Sequence, residues 1–307
     1  MRSSGGDVLT RDGRDFFGPD GSPVARLDRG VVRFGLPQDD ASIDFFTSVG
    51  GTHFHERSQV PLAMTTLDTP VYHGYMARLR EGAPQGAVVD VGGGDGRNTW
   101  PWLAWGHPRV VVVDPVFESL SRLRGRVAAH DPSWLERLLL VESDSRSLPL
   151  ASGFADRLLS IEALAYLNED YPLGLSECAR VVKPGGKLLI ADRDYEGGLV
   201  MQAFYFGGLK GLLNAAPTRD IWDGRPDFLV RNRSFTRSEF QDAITEQNLT
   251  VLFSGGISAM SLIISFLRSK GLQEDAAPAE LDALRELLAK LGEAGSFRRS
   301  HVIIAQK

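Results

Sequence analysis

The residues best placed to do chemistry are acidic, and they stand where short apolar runs stop. Asp90-Val91-Gly92-Gly93-Gly94-Asp95-Gly96 closes the run VVDV and precedes a helix-compatible stretch. The alternate glycines Gly92, Gly94 and Gly96 let backbone approach a ligand where any Cβ would collide. The helix that follows offers its first N–H groups to the same ligand. A dinucleotide fingerprint needs glycine where Arg97 stands, and no G-K-[ST] follows, so neither a pyrophosphate loop nor a P-loop fits. Asp90 beside the glycines suits an ammonium-bearing ligand better than a phosphate. Asp114 ends the next run, 18 residues after Gly96, where a carboxylate can accept both ribose hydroxyls of a nucleoside. Asp144, with Ser145 beside it, ends the third run; an acceptor side chain and a backbone donor there suit the amine and ring nitrogen of adenine. Singly, Asp90 and Asp114 read equally well as strand-end caps and Asp144 as a turn former. Together they converge on one crevice.

The elements that must hold these residues follow from the apolar pattern. Residues 88–91, 109–114, 137–144, 156–164 and 187–192 are apolar runs suited to strands buried on both faces. Helix-compatible stretches at 97–106, 116–130 and 169–182 alternate with them, which predicts a parallel sheet with right-handed crossovers. LTVLFSGG (249–256), a helix over 279–292 and HVIIA (301–305) complete a seven-stranded, mostly parallel, doubly wound α/β sheet. Residues 1–45 read as a small β-rich N-terminal appendage, 46–85 as a helical lid segment, and 86–307 as the main domain with an inserted helical cap at about 194–235.

At this point the chain resembles the class I, Rossmann-like, S-adenosylmethionine-dependent methyltransferases. VVDVGGGDGR, VVVVDPVFESL, ESDSRSLPLASGFADRLLSIEAL and ARVVKPGGKLLIADRD match that family's ordered blocks over about residues 86–195. The resemblance implies S-adenosyl-L-methionine as cofactor, with Asp90 and Gly92 at its methionine end and Gly94 and Gly96 in the tight turn. It implies Asp114 at the ribose, Asp144 and Ser145 at the adenine, and Ile161 and Glu162 flanking the sulfonium. No NPPY or DPPY motif stands at Ser160-Ile161-Glu162-Ala163, which argues against amide or nucleobase nitrogen as acceptor. The N-terminal cadence DG…PDGSPVARLDRGVVRF also resembles small zinc-ribbon modules, without any of the cysteines such a metal site needs.

Candidates for orienting or deprotonating an acceptor are His53 and His55 in GTHFHERS, Tyr166 after the fourth run, and Asp194 and Tyr195 after the fifth. His73 is a further histidine of the lid segment, and each histidine reads as readily as a packing residue. Two alternate histidines without a third ligand make no metal site. Cys178, the single cysteine, reads as a packed apolar thiol. Arg219, Arg225, Arg231, Arg233 and Arg237 interleave with Asp220, Asp223 and Asp227 and read as an ordinary solvated surface.

A net charge of -5 over 307 residues gives no global attraction to phosphate backbones and argues against nucleic-acid substrates. With no signal-peptide pattern and no apolar run near the roughly 20 residues that span a bilayer, a soluble cytoplasmic protein is expected. The expected activity is methyl transfer to oxygen or a non-amide nitrogen of a small organic substrate, with natural products and peptides as the classes in view. A non-methylating reaction such as cyclisation with the same cofactor, or a non-catalytic scaffold, are the alternatives. Oligomeric state is not legible.

Overall fold

The apolar runs become the centre of one twisted sheet. The structure is a computed structural model, and it describes residues 1, 8–37, 39–48, 67–82, 86–205, 208–218, 221–225, 228–271, 278–295 and 297–307. In chain order the strands are β1 (Thr10–Asp12), β2 (Asp15–Phe17), β3 (Pro23–Asp28), β4 (Val31–Phe34), β5 (Ala87–Val91), β6 (Arg109–Asp114), β7 (Leu138–Glu142), β8 (Ala155–Ile161), β9 (Val182–Arg193), β10 (Ile221–Arg225), β11 (Phe228–Asn232), β12 (Thr250–Ser258) and β13 (Arg298–Gln306). The helices are α1 (Ala41–Ser48), α2 (Thr69–Arg80), α3 (Thr99–Ala104), α4 (Phe117–His130), α5 (Tyr171–Val181), α6 (Tyr195–Tyr205), α7 (Gly208–Thr218), α8 (Arg237–Thr245), α9 (Met260–Ser269) and α10 (Pro278–Ala294).

The strand order is β1-β2-β3-β4-β7-β6-β5-β8-β9-β13-β12. From β4 to β9 neighbouring strands run parallel, while β13 lies antiparallel to both β9 and β12. The seven expected strands are therefore all present, with the last inserted between the fifth and the sixth. The N-terminal strands form an antiparallel meander that extends this sheet, because β4 pairs with β7. The inserted cap differs from the expectation of helices alone. It contains α6 and α7 followed by the hairpin β10–β11, whose strands pair with each other and stay apart from the main sheet.

Alternation along the strands fills two cores. Val89, Val91, Val111 and Val113 join α5 and α8 residues on one face, and Val88, Val110 and Val112 join α2 and α4 residues on the other. The chain leaves β5 towards β6 and β7, then crosses back to β8 on the other side of β5. Loops on either side of such a switch point part and open a crevice at the carboxyl ends of the strands.

The closing helix sits very near the sheet. A Cβ built on Gly292 of α10 would lie 2.1 Å from the backbone oxygen of Gly256 on β12. Arg298, 1% exposed, donates to the carbonyls of Gly292 and Glu293 at 2.5 and 3.1 Å and so satisfies the end of α10. Because the obstacle at Gly292 is backbone, Gly292→Ala should lower unfolding free energy by about 1–3 kcal/mol, the usual cost of overpacking. A urea unfolding midpoint unchanged from wild type would refute this close packing.

Candidate functional site

The crevice at the switch point encloses about 1300 Å³, its open mouth included. Its floor is the turn after β5. Gly92 has φ 73°, its N–H donates to the Val113 carbonyl at 2.7 Å, and a Cβ there would lie 2.2 Å from that of Ala163. Glycine is required by both the backbone region and the space. Gly94, at φ 53°, also lines the crevice, and a Cβ on it would meet no atom within 4 Å, so a ligand has room there.

Asp114 ends β6 on the wall of the crevice. Its Oδ2 accepts from Gly94 N–H at 2.8 Å and its Oδ1 from Val116 N–H at 2.9 Å. Each oxygen thus spends one lone pair on backbone and keeps capacity for a ligand. Burial raises its pKa to about 6 in spite of those two donors. Asp144 and Ser145 line the same crevice after β7, and both Asp144 oxygens are engaged by Arg146. Gly92, Gly94, Asp114, Asp144, Ser145, Ile161 and Glu162 therefore come together.

Asp90 and Gly96 sit behind this lining. The Asp90 carboxylate, 1% exposed, accepts from the Thr99 hydroxyl at 2.6 Å, and burial pushes its pKa up to about 7. Gly96 donates to the Gly93 carbonyl and packs on Leu123. Both shape the turn from beneath.

Glu162 follows β8 with φ 55° and is a heavily engaged carboxylate of the site. Tyr72 donates to it at 3.0 Å, Ser300 at 2.7 Å and Arg299 at 3.2 Å, with Arg97 at 3.8 Å. Burial opposes its charge, but Arg299, Arg193 and Arg97 outweigh that and hold the carboxyl at about 2. Arg299 is itself buried and also pairs with Asp68 of the segment entering α2.

The candidates for handling the acceptor separate. Tyr166 lines the crevice, with its hydroxyl donating to Asp223 at 2.8 Å and its ring edge-on to Phe46 at 4.9 Å. Burial first, and then Asp223, raise its pKa well above the ordinary tyrosine value. Asp194 and Tyr195 do not line the crevice. One Asp194 oxygen caps α6 by accepting from Glu196 and Gly197 N–H, and the other faces His301 at 2.9 Å. Tyr195 donates to the Ala216 carbonyl within the cap. His53 and His55 lie outside the described residues. His73 faces the Arg97 carbonyl at 3.2 Å, and burial lowers its pKa. Among the described residues no cluster of acidic, histidine or cysteine side chains could hold a metal ion, and no helix is long and apolar enough to cross a membrane.

Sequence reasoning missed several residues. Asp223, read above as solvated surface, is 7% exposed and accepts from both Tyr166 and Arg193. The hairpin β10–β11 turns it inward, which an aspartate among surface-type arginines gives no sign of. Arg193 lines the crevice, and its one signal was an arginine between two strand-end aspartates. Arg146 and Asp40 meet only in three dimensions.

The doubly wound sheet, the antiparallel last pair and the glycine turn beneath a strand-end aspartate define a class I S-adenosylmethionine-dependent methyltransferase fold. Residues 89–190, about a third of the chain, match the family described as "Methyltransferase domain". The chain is 32% identical over 104 residues to the "Ubiquinone/menaquinone biosynthesis C-methyltransferase UbiE" of Acidiphilium cryptum, covering 34% of this chain and 41% of that protein. It is 29% identical over 197 residues to "Aclacinomycin 10-hydroxylase RdmB" of Streptomyces purpurascens, covering 62% and 48%. The match thus spans less than half the length of either relative. Among solved structures, the PH0226 protein of Pyrococcus horikoshii superposes with a TM-score of 0.52 at 15% identity, over 85% of this chain and 97% of that one.

The Glu162 cluster gives a stability test. Glu162→Gln should cost about 3 kcal/mol at neutral pH, the low end for breaking a buried ion pair, because Arg299 keeps Asp68. A depressed pKa contributes stability that is complete above the ordinary glutamate value of 4.5 and is lost as pH falls towards about 2. The difference between wild-type and variant urea midpoints should therefore narrow as pH falls through that window. A gap independent of pH would show that the charge of Glu162 is not what stabilises the fold.

Proposed function

We propose that this chain binds S-adenosylmethionine in the crevice and transfers its methyl group to oxygen or a non-amide nitrogen of a small organic substrate, of natural-product or peptide type. The observation that carries this reading is Asp114, a strand-end carboxylate on the crevice wall with each oxygen held by one backbone N–H. The residues fit the cofactor. Gly94 leaves open space beside Asp114, Ser145 and Asp144 stand at the next strand end, and Ile161 and Val116 add apolar wall. Asp114 would hold the ribose, Asp144 and Ser145 the adenine, and Gly92 with the turn the methionine end.

When bound, the cofactor supplies an electrophilic methyl group on a sulfonium. The chain's own residues align, hold charge and exclude water. Glu162 stays ionised near neutrality and contributes negative charge to a crevice that Arg97 and Arg193 also line. Tyr166 donates its hydroxyl hydrogen bond to Asp223, so its oxygen is left to accept from an acceptor O–H or N–H. Phe46, Leu167 and Ile161 provide an apolar surround for that end.

A second reading, a non-methylating reaction with the same cofactor, draws support from one observation. The Tyr166 hydroxyl that lines the crevice is already engaged by Asp223. The relative with the longest match is likewise named as a hydroxylase. Release of S-adenosylhomocysteine during turnover separates the two readings.

Calorimetric titration with S-adenosylmethionine, S-adenosylhomocysteine and NAD tests the cofactor. The two sulfur compounds should bind and NAD should not, and Asp114→Ala should weaken binding by about 1.5–3 kcal/mol, the worth of charged hydrogen bonds. No heat with either sulfur compound at millimolar concentration would sink the enzymatic readings. The pH dependence follows from burial: because Asp114 is raised to about 6, wild-type affinity should fall as pH drops below that value. In Asp114→Asn that step should vanish. Its persistence in the variant would assign the titration to another group.

A further inference from the structure

Arg146 gathers carboxylates from three separate segments. Its Nε donates to Asp144 at 2.8 Å, its Nη2 lies 2.6 Å from both Asp144 and Asp40, and its Nη1 is 3.0 Å from Asp170. Its backbone N–H also donates to Asp144, at 2.8 Å. A planar guanidinium can address several carboxylates at once, which the point charge of lysine cannot.

Asp40 uses its two oxygens for different ends. Oδ1 accepts from Ser42 N–H at 3.0 Å, Ser42 Oγ at 2.6 Å and Ile43 N–H at 3.1 Å, which caps the start of α1. Oδ2 is the one that meets Arg146. Further along α1, Phe46 reaches the ring of Tyr166 at 4.9 Å, and Phe45 reaches Phe228 on β11 at 5.4 Å. Ser42, Ile43 and Phe46 all line the crevice. One short helix is thus a wall from the nucleoside end to the acceptor end, held at one end by ions and at the other by aromatic edges.

We propose that Arg146 is a positioning residue that couples the two ends of the crevice through α1. An adenosine-containing ligand beside Asp144 fixes that carboxylate, the carboxylate fixes the guanidinium, and the guanidinium fixes Asp40 and the helix it caps. Phe46, and with it one wall of the acceptor end, is set in place when the nucleoside end fills. Without the cation, Asp40, Asp144 and Asp170 repel one another, so the helix has no ionic hold on the rim. This coupling rests on the cofactor reading given above.

Hydrogen–deuterium exchange of residues 41–48, with and without saturating S-adenosylhomocysteine, tests it in wild type, Asp40→Asn, Arg146→Gln and Arg146→Lys. Each protein is also titrated calorimetrically with the same compound and melted. Asp40→Asn keeps a good capping side chain and leaves the Arg146–Asp144 pair intact, so it breaks only the arm to α1. In wild type, S-adenosylhomocysteine should slow exchange in α1 about tenfold or more. At saturation, Asp40→Asn and Arg146→Gln should exchange α1 as fast as their free forms, with Arg146→Lys between. The Kd should rise about tenfold in Arg146→Gln and only about twofold in Asp40→Asn. A merely structural arginine would lower the melting temperature but leave ligand-induced protection of α1 unchanged. Equal protection in wild type and Asp40→Asn overturns the coupling, and so does wild-type exchange that ignores the ligand. Absence of binding heat in wild type overturns the cofactor reading instead, and calorimetry reports that separately. If Arg146→Gln fails to fold, the Asp40→Asn comparison decides alone.

Discussion

The buried charge balance around Arg299 is the interaction on which the rest of this molecule leans. A guanidinium 1% exposed stands between Asp68 and Glu162, all three removed from water. Removing such ions from solvent costs several kcal/mol each unless partners compensate. Compensation here demands that three distant segments arrive together: the entry to α2, the turn after β8, and β13. It also leaves Glu162 ionised on the crevice wall.

The crevice then divides by chemistry. Around Asp114 the lining groups are backbone and carboxylate, held in place by N–H donors. Around Tyr166 they are aromatic rings and the ion pair of Arg193, at the end of β9, with Asp223 of the hairpin. The first half is built from the strand ends of the sheet. The second also depends on pieces outside the regular alternation, α1 and the β10–β11 hairpin.

How much was legible in the sequence follows from what is local. Continuous apolar runs and the spacing from Gly96 to Asp114 announce buried parallel strands and a crevice at their carboxyl ends, because each signal lies within a few residues. The last pair of strands was also legible, although its insertion between β9 and β12 was not. The cap hairpin escaped because Ile221–Arg225 and Phe228–Asn232 alternate weakly and carry charges that suit a surface. Asp194 looked like a pocket residue because strand ends point there, but a helix begins at the next residue and takes its carboxylate as a cap. Arg146 and Asp40 are 106 residues apart, and nothing in either neighbourhood announces the other.

The pairing of β4 with β7 has a consequence for how the chain is made. Val31 pairs with Leu140, so the meander finds its neighbour only after more than a hundred further residues have been added. The hairpins of β1 to β4 are local and can close early, within microseconds of release. Their inner edge must then wait, at a synthesis rate of about 5–20 residues per second, for seconds with unpaired backbone. During that interval β4 (VVRF) is an open template, and Arg33 is the one charged side chain along it.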